Sequence, residues 1–233
     1  ITGANNFALT RVGGPIAQMY GYQVTGVYKS QAEINAGPAM AGTLVGDYII
    51  ADLNGDGVID SQDKTTFGTG APTLLYGTTH NFKYKQFDLS FTLQGETGKK
   101  IYSRVLSTVI GSGEGFAVPS QEYFDNRYHP INNPNGTYGT PNMGNFSNNR
   151  RETRASNIFF DNANYVRLRD IRLAYSLAKK AALKIGLSHV QVYASANNLF
   201  TITPYKGFSI DASTDSPLTQ GYDNSNFLLP VRF

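Results

Sequence analysis

The chain has 233 residues, no cysteine and a net charge of +3 from 20 basic and 17 acidic side chains. Without cysteine there is no disulfide scaffold, no thiol nucleophile and no cysteine-held zinc. No apolar run approaches the roughly 18 residues of a membrane helix, and the small, dispersed positive charge offers nucleic acid no platform. The length fits one large domain or a piece of something larger, with no charged-then-apolar leader expected among these residues. Gly (24), Tyr (15) and Phe (14) are plentiful, which favours strands joined by turns and irregular loops.

In chain order, the first segment with readable chemistry is 52–63, D-L-N-G-D-G-V-I-D-S-Q-D. Ca²⁺ takes six to eight oxygens, and an EF-hand-type loop supplies them from positions 1, 3, 5, 7, 9 and 12, with Gly at 6 for the turn. Those positions are Asp52, Asn54, Asp56, the Val58 carbonyl, Asp60 and Asp63, with Gly57 at the sixth. A structural Ca²⁺ is the expected cofactor. The twelfth ligand is the short Asp63 rather than Glu, so a weaker site is expected. Ile59 should pin the loop to whatever lies beneath it. The flanks, Tyr48–Ala51 and Thr65–Gly68, are β-branched and aromatic, which places the loop between extended segments rather than helices. A polar turn that binds nothing is the plain alternative.

Period-two alternation then marks strands. In Leu74–Tyr84 the residues Leu74, Tyr76, Phe82 and Tyr84 share a face, and Lys85-Gln86 makes a tight hairpin into Phe87–Gln94, where Phe87, Leu89, Phe91 and Leu93 alternate with Asp88, Ser90, Thr92 and Gln94. Gln121–Tyr128 has the composition of a short helix. The basic run Asn149–Arg154 lacks an aromatic stacking platform and reads as a solvated loop. In Tyr165–Leu177 the apolar phase switches between Leu168 and Ile171, so a β-bulge is expected near Asp170. His189–Phe200 alternates again, with Val190, Val192, Ala194 and Ala196 on one side.

The connections are unequal. Lys85-Gln86 and 178–188 are short, while 95–162 and 201–226 are long and rich in Asn, Gly, Pro and Tyr. Loops of that length usually carry function. Short turns alternating with long loops suit an outer-membrane barrel, with Tyr76, Tyr84, Phe87 and Tyr175 in its aromatic girdles and the terminal Phe233 in its last strand. The same alternation equally describes a soluble β-sandwich. No catalytic constellation is visible, and an enzyme is not expected.

Several runs carry a resemblance. Gly13–Tyr22 (G-G-P-I-A-Q-M-Y-G-Y), Gly26-Val-Tyr28, Gln31–Ile34, and Gly46–Asp60 with its D-L-N-G-D-G-V-I-D come first. Tyr84–Ser90 (Y-K-Q-F-D-L-S), Asn164–Tyr175 and Val192–Gly207, with N-L-F-T-I-T-P-Y-K-G, follow in order. This series resembles the SusC/RagA family of TonB-dependent outer-membrane transporters, over nearly all of the chain. The resemblance implies an all-β fold: the C-terminal strands of a large antiparallel transmembrane β-barrel, with 52–63 an EF-hand-like calcium loop and 95–162 and 201–226 long extracellular loops. It implies an importer of oligosaccharides or peptides in a gram-negative outer membrane. The implied partners are a SusD-like surface lipoprotein, outer-membrane lipid, and TonB through a segment absent from these residues. The turns at Lys85-Gln86 and 178–188 would then be periplasmic. The alternative is a secreted, calcium-stabilised β-sandwich that binds glycans; a dockerin-like module would need a second copy of the loop, which the sequence lacks.

Overall fold

The computed structural model describes residues 7–104, 107, 119–141, 149, 153–207, 209–211 and 216–223. They are mostly strand, with a few short helices, as an all-β chain requires. Two compact units divide the chain: 72–98 with 163–205 and 227–233, and 1–71 with 99–162 and 206–226.

The first of these units is one antiparallel sheet. Numbering strands along the whole chain, its members are β6 (Leu74–Tyr84), β7 (Phe87–Thr97), β10 (Tyr165–Ser176) and β11 (Gln191–Ile202), in the order β11-β10-β7-β6. Lys85 opens the β6–β7 turn at φ +54°, and the pair Tyr84–Phe87 closes a two-residue loop, so the hairpin stands as the sequence predicts. The bulge also appears. Register slips between Leu168 and Asp170 against both β7 and β11, and at the same level Asn198 of β11 takes φ +53°. The two irregularities lie side by side, and apolar residues keep to one face beyond them. The β10–β11 connection is more than a turn: it holds α3 (Lys179–Lys184).

The second unit is built from small sheets around aromatic side chains. β1 (Ala8–Leu9), β2 (Gln18–Tyr22) and β5 (Lys64–Thr69) form one, β3 (Val24–Val27) pairs with β4 (Tyr48–Ile50), and β8 (Lys100–Ser103) lies between β9 (Phe160–Asn162) and β12 (Tyr222–Asp223). Phe7 stacks on Tyr102 at 4.8 Å and on Tyr222 at 5.1 Å, within a core that includes Met19, Tyr123 and Phe160. Offset ring pairs of this kind add to simple burial. Close backbone approaches need glycine: a Cβ on Gly21 would lie 2.1 Å from the Ala155 carbonyl oxygen. Ser30 caps α1 (Gln31–Ala36) by accepting from the Glu33 N–H, and Ser120 caps α2 (Gln121–Asn126) in the same way at Tyr123.

Three sequence expectations need amendment. β7 runs to Thr97, and 95–162 also holds β8 and β9, strands too short for periodicity to reveal, besides the short helix α2 that the composition of 121–128 predicts. β11 begins at Gln191 and continues to Ile202, rather than spanning 189–200. Asn149 and Thr153 are buried, not solvated: the Asn149 carboxamide accepts from the Tyr48 N–H and donates to its carbonyl, standing in for a strand partner. Residues 150–152 of that run, the tip 212–215 and the final segment 227–233 lie outside the described residues.

Candidate functional site

Residues opposite one another in register share a face of a sheet. Following the register across the four-stranded sheet puts Leu74, Tyr76, Phe82 and Tyr84 with Phe87, Leu89, Phe91 and Leu93, then with Leu168, Ile171, Leu173 and Tyr175, then with Val192, Ala194, Ala196, Phe200 and Ile202. This face is apolar and, apart from the buried Leu168 and Ala196 beside the bulge, open. Phe82, Tyr84, Val192 and Ile202 are 55, 69, 68 and 68% exposed. A soluble sandwich would bury such a face beneath a second sheet. On it His80 and Phe82 both stack against Phe91, and the Tyr76 ring lies over Gly95 while its hydroxyl donates to the Tyr165 carbonyl at 3.1 Å.

The opposite face is a hydrogen-bonded polar lattice. Thr79 and Thr92 hydroxyls meet at 3.0 Å, Lys83 pairs with Asp88 at 3.5 Å, and Arg169 donates to the Gln94 carboxamide oxygen at 3.1 Å. Asn197 donates to Asp170 beside the bulge. Nearer the short turns, Arg172 lies 4.5 Å over the Tyr193 ring and donates to the Gln191 oxygen at 3.3 Å, while Gln191 donates to the Ser176 hydroxyl. An open cavity of about 360 Å³ there is lined by Lys83, Asp88, Ser90, Arg172 and Gln191 among others. Charged groups and an aromatic ring on one wall can bond polar, hydroxylated or peptide-like solutes. No local motif announces this lattice. Its only sequence signal is the polar phase of the strands.

The loop 52–63 lies between β4 and β5, as its flanks predict, and Ile59 packs beneath it on Tyr22 and Ile50. Gly57 adopts φ +82° at the sharp turn. Its oxygens hold the loop's own N–H groups: Asp52 accepts from Gly55 and Gly57, Asn54 from Asp56, Asp56 from Val58, and Asp60 from Gln62. Val58 itself is exposed at the outside of the loop. Asp63, fully buried, accepts from Leu53 at 2.8 Å and Asp60 at 2.9 Å. Burial alone would raise its pKa, but N–H groups of Asp60, Leu53 and Asn54, with the adjoining Asp52 side chain, hold it below the usual carboxylate range. Among the described residues no three His, Asp or Glu side chains converge as a ready metal cage. Each carboxylate offers about four lone-pair sites, so the N–H bonds leave acceptor capacity for a cation.

A second polar cluster joins Glu122, Tyr138 and Lys206. Glu122 accepts from Lys206 at 2.7 Å and Tyr138 at 3.1 Å. Lys206 holds the Glu122 pKa down and is itself held up by it; Tyr138 is pushed up to about 12, by burial first and Glu122 next. These groups tie the segment after β11 to α2 rather than forming an acid–base pair near neutrality.

Comparison with known proteins gives the same picture. No family model matches the chain. It is 30% identical over 210 residues to the TonB-dependent receptor P3 of Formosa agariphila, a match covering 88% of this chain and 19% of that protein. It is also 30% identical over 161 residues to the TonB-dependent receptor SusC of Bacteroides thetaiotaomicron, covering 68% of this chain and 15% of SusC. Its fold matches a chain of the RagAB peptide transporter with a TM-score of 0.68 at 17% identity, over 95% of this chain and 22% of the other. The protein thus spans about 19% of the first relative's length. It belongs to the family of TonB-dependent receptors, outer-membrane proteins of gram-negative bacteria, of which it spans a part.

Proposed function

We propose that the protein serves as part of a wall through which oligosaccharides or peptides are imported across the outer membrane, with a SusD-like lipoprotein at the mouth and TonB supplying energy through another part of the receptor. The observation that carries this reading is the two-faced sheet: apolar and exposed on one side, a connected polar lattice on the other. Lipid accepts the first and a watery passage the second, as in transmembrane barrels. The relatives support the class, and RagAB, named as a peptide transporter, favours peptides among the cargoes. Deleting the gene in its host and following uptake of labelled peptide and oligosaccharide mixtures tests the proposal. Selective loss of one class is expected; undiminished uptake of both would overturn it. Co-purification with a surface lipoprotein tests the partner.

The same reading assigns loop 52–63 a structural Ca²⁺, held by Asp52, Asn54, Asp56, the Val58 carbonyl, Asp60 and Asp63. Five oxygen-bearing side chains on one loop, two of them touching carboxylates, support it. Asp56→Ala should abolish calcium-dependent protection of residues near Gly57 from proteolysis while leaving β content unchanged. Equal protease sensitivity of the parent loop in calcium and in chelator would make it a plain turn.

A further inference from the structure

The connection between β10 and β11 is built unlike the hairpin turn beside it. Ser176 N–H donates to the Gln86 carbonyl and Leu177 N–H to that of Val190, both at 2.8 Å, so α3 emerges at the same end of the sheet as Lys85-Gln86. Ala182 is the buried residue of α3, whereas Leu183, Ile185 and Leu187 are 57, 62 and 49% exposed. Lys179, Lys180 and Lys184 stand exposed among them. The sequence has no acidic residue from 171 to 210, and among the described residues none of these lysines makes an ion pair. Beside them the apolar face ends in aromatic rings: Phe87 and Tyr175 lie 4.9 Å apart, and the Lys85 ammonium sits 5.2 Å over Tyr84.

A segment with exposed Leu and Ile between unneutralised lysines, continuous with an aromatic-edged apolar face, has the chemistry of a membrane interface. Apolar side chains enter the acyl boundary, lysine stems run along it, and ammonium groups meet phosphate. We propose that 178–188, with Lys85, is an interfacial anchor that binds acidic phospholipid headgroups in the leaflet at the short-turn end. The proposal rests on the reading that the apolar face meets lipid. It adds a lipid preference and a site: Lys179, Lys180 and Lys184 select anionic headgroups, while Leu183, Ile185 and Leu187 set the depth.

Because the chain has no cysteine, a single introduced thiol is a unique reporter within it. The full-length receptor, with any thiols elsewhere removed, would carry a fluorophore at Ser188→Cys or, separately, at Phe91→Cys. It would be placed in nanodiscs of zwitterionic lipid with or without phosphatidylglycerol, with spin-label quenchers at the headgroup or along the acyl chain. The position-188 probe should be quenched from the headgroup more strongly with phosphatidylglycerol. That gain should fall with added salt, as the screening length drops from about 30 Å at 0.01 M to 3 Å at 1 M. It should vanish in Lys179→Gln/Lys180→Gln/Lys184→Gln and persist in the corresponding arginine variant, each lost lysine weakening the attraction about fivefold. Quenching at 188 indifferent to phosphatidylglycerol and to the glutamines would overturn the anchor, even with position 91 quenched from the acyl chain. If position 91 is unquenched as well, the lipid-face reading itself falls. Labelling at position 188 by an impermeant thiol reagent on intact cells would put this end outside and overturn the leaflet assignment.

Discussion

Asp63 does with one side chain what a neighbouring strand would do with its backbone, receiving the N–H groups of Leu53 and Asp60 with no exposure to water. Asp63→Asn keeps the shape but offers one carbonyl oxygen in place of two carboxylate oxygens, so one half-buried N–H loses its partner. A cost of about 1–3 kcal/mol is expected, localised to the loop and read as faster amide exchange over 52–63. The pH dependence has a definite sign. The folded carboxyl titrates below its unfolded value of 3.8, so its contribution is fully present above that value and is lost as pH falls through the lower, folded pKa. Exchange over the loop in parent protein should therefore stay slow through mildly acid solution and quicken only below it. Much of this was legible: the spacing of Asp, Asn and Gly singled out the loop, and Ile59 sits where an apolar pin was expected. The Asn149 clasp on Tyr48 was not, because a carboxamide that completes a strand across 101 residues leaves no local pattern.

Along an element, the two phases of β7 face different surroundings. Phe91 stacks with His80 and Phe82 on the apolar face, and Thr92 meets the Thr79 hydroxyl on the polar one. Phe91→Arg near the bilayer midplane should cost about 2–4 kcal/mol, and Thr92→Arg much less. Urea unfolding of the two variants in lipid gives the comparison, and equal tolerance would contradict a lipid-facing Phe91. The bulge at β10 is the element-scale feature best read in advance, since a period-two pattern that changes phase in mid-strand requires an extra residue. The β8, β9 and β12 strands gave no such warning: two to four residues hold at most two alternations, too few to stand out from chance, and their pairing is set by distant partners.

For the whole molecule, strand direction makes topology testable. If Lys85-Gln86 and 178–188 face the periplasm, β6 and β10 run inward and β7 and β11 outward, and loop 52–63 lies outside. A thiol at the exposed Val58 (Val58→Cys) should then react with an impermeant reagent on intact cells. Reaction only after permeabilisation would reverse the assignment.

The sheet order β11-β10-β7-β6 also has a consequence for how the chain reaches this state. β6 meets β7 across two residues and β10 meets β11 across a short helical connection, so both hairpins close cheaply. β7 and β10, the central pair, are separated by everything from Gly98 to Asn164. Closing that excursion must be paid in entropy before any of its ladder forms. The two hairpins should therefore appear early and independently. The slow event is their meeting along β7 and β10, where the bulge of β10 between Leu168 and Asp170 fixes the register.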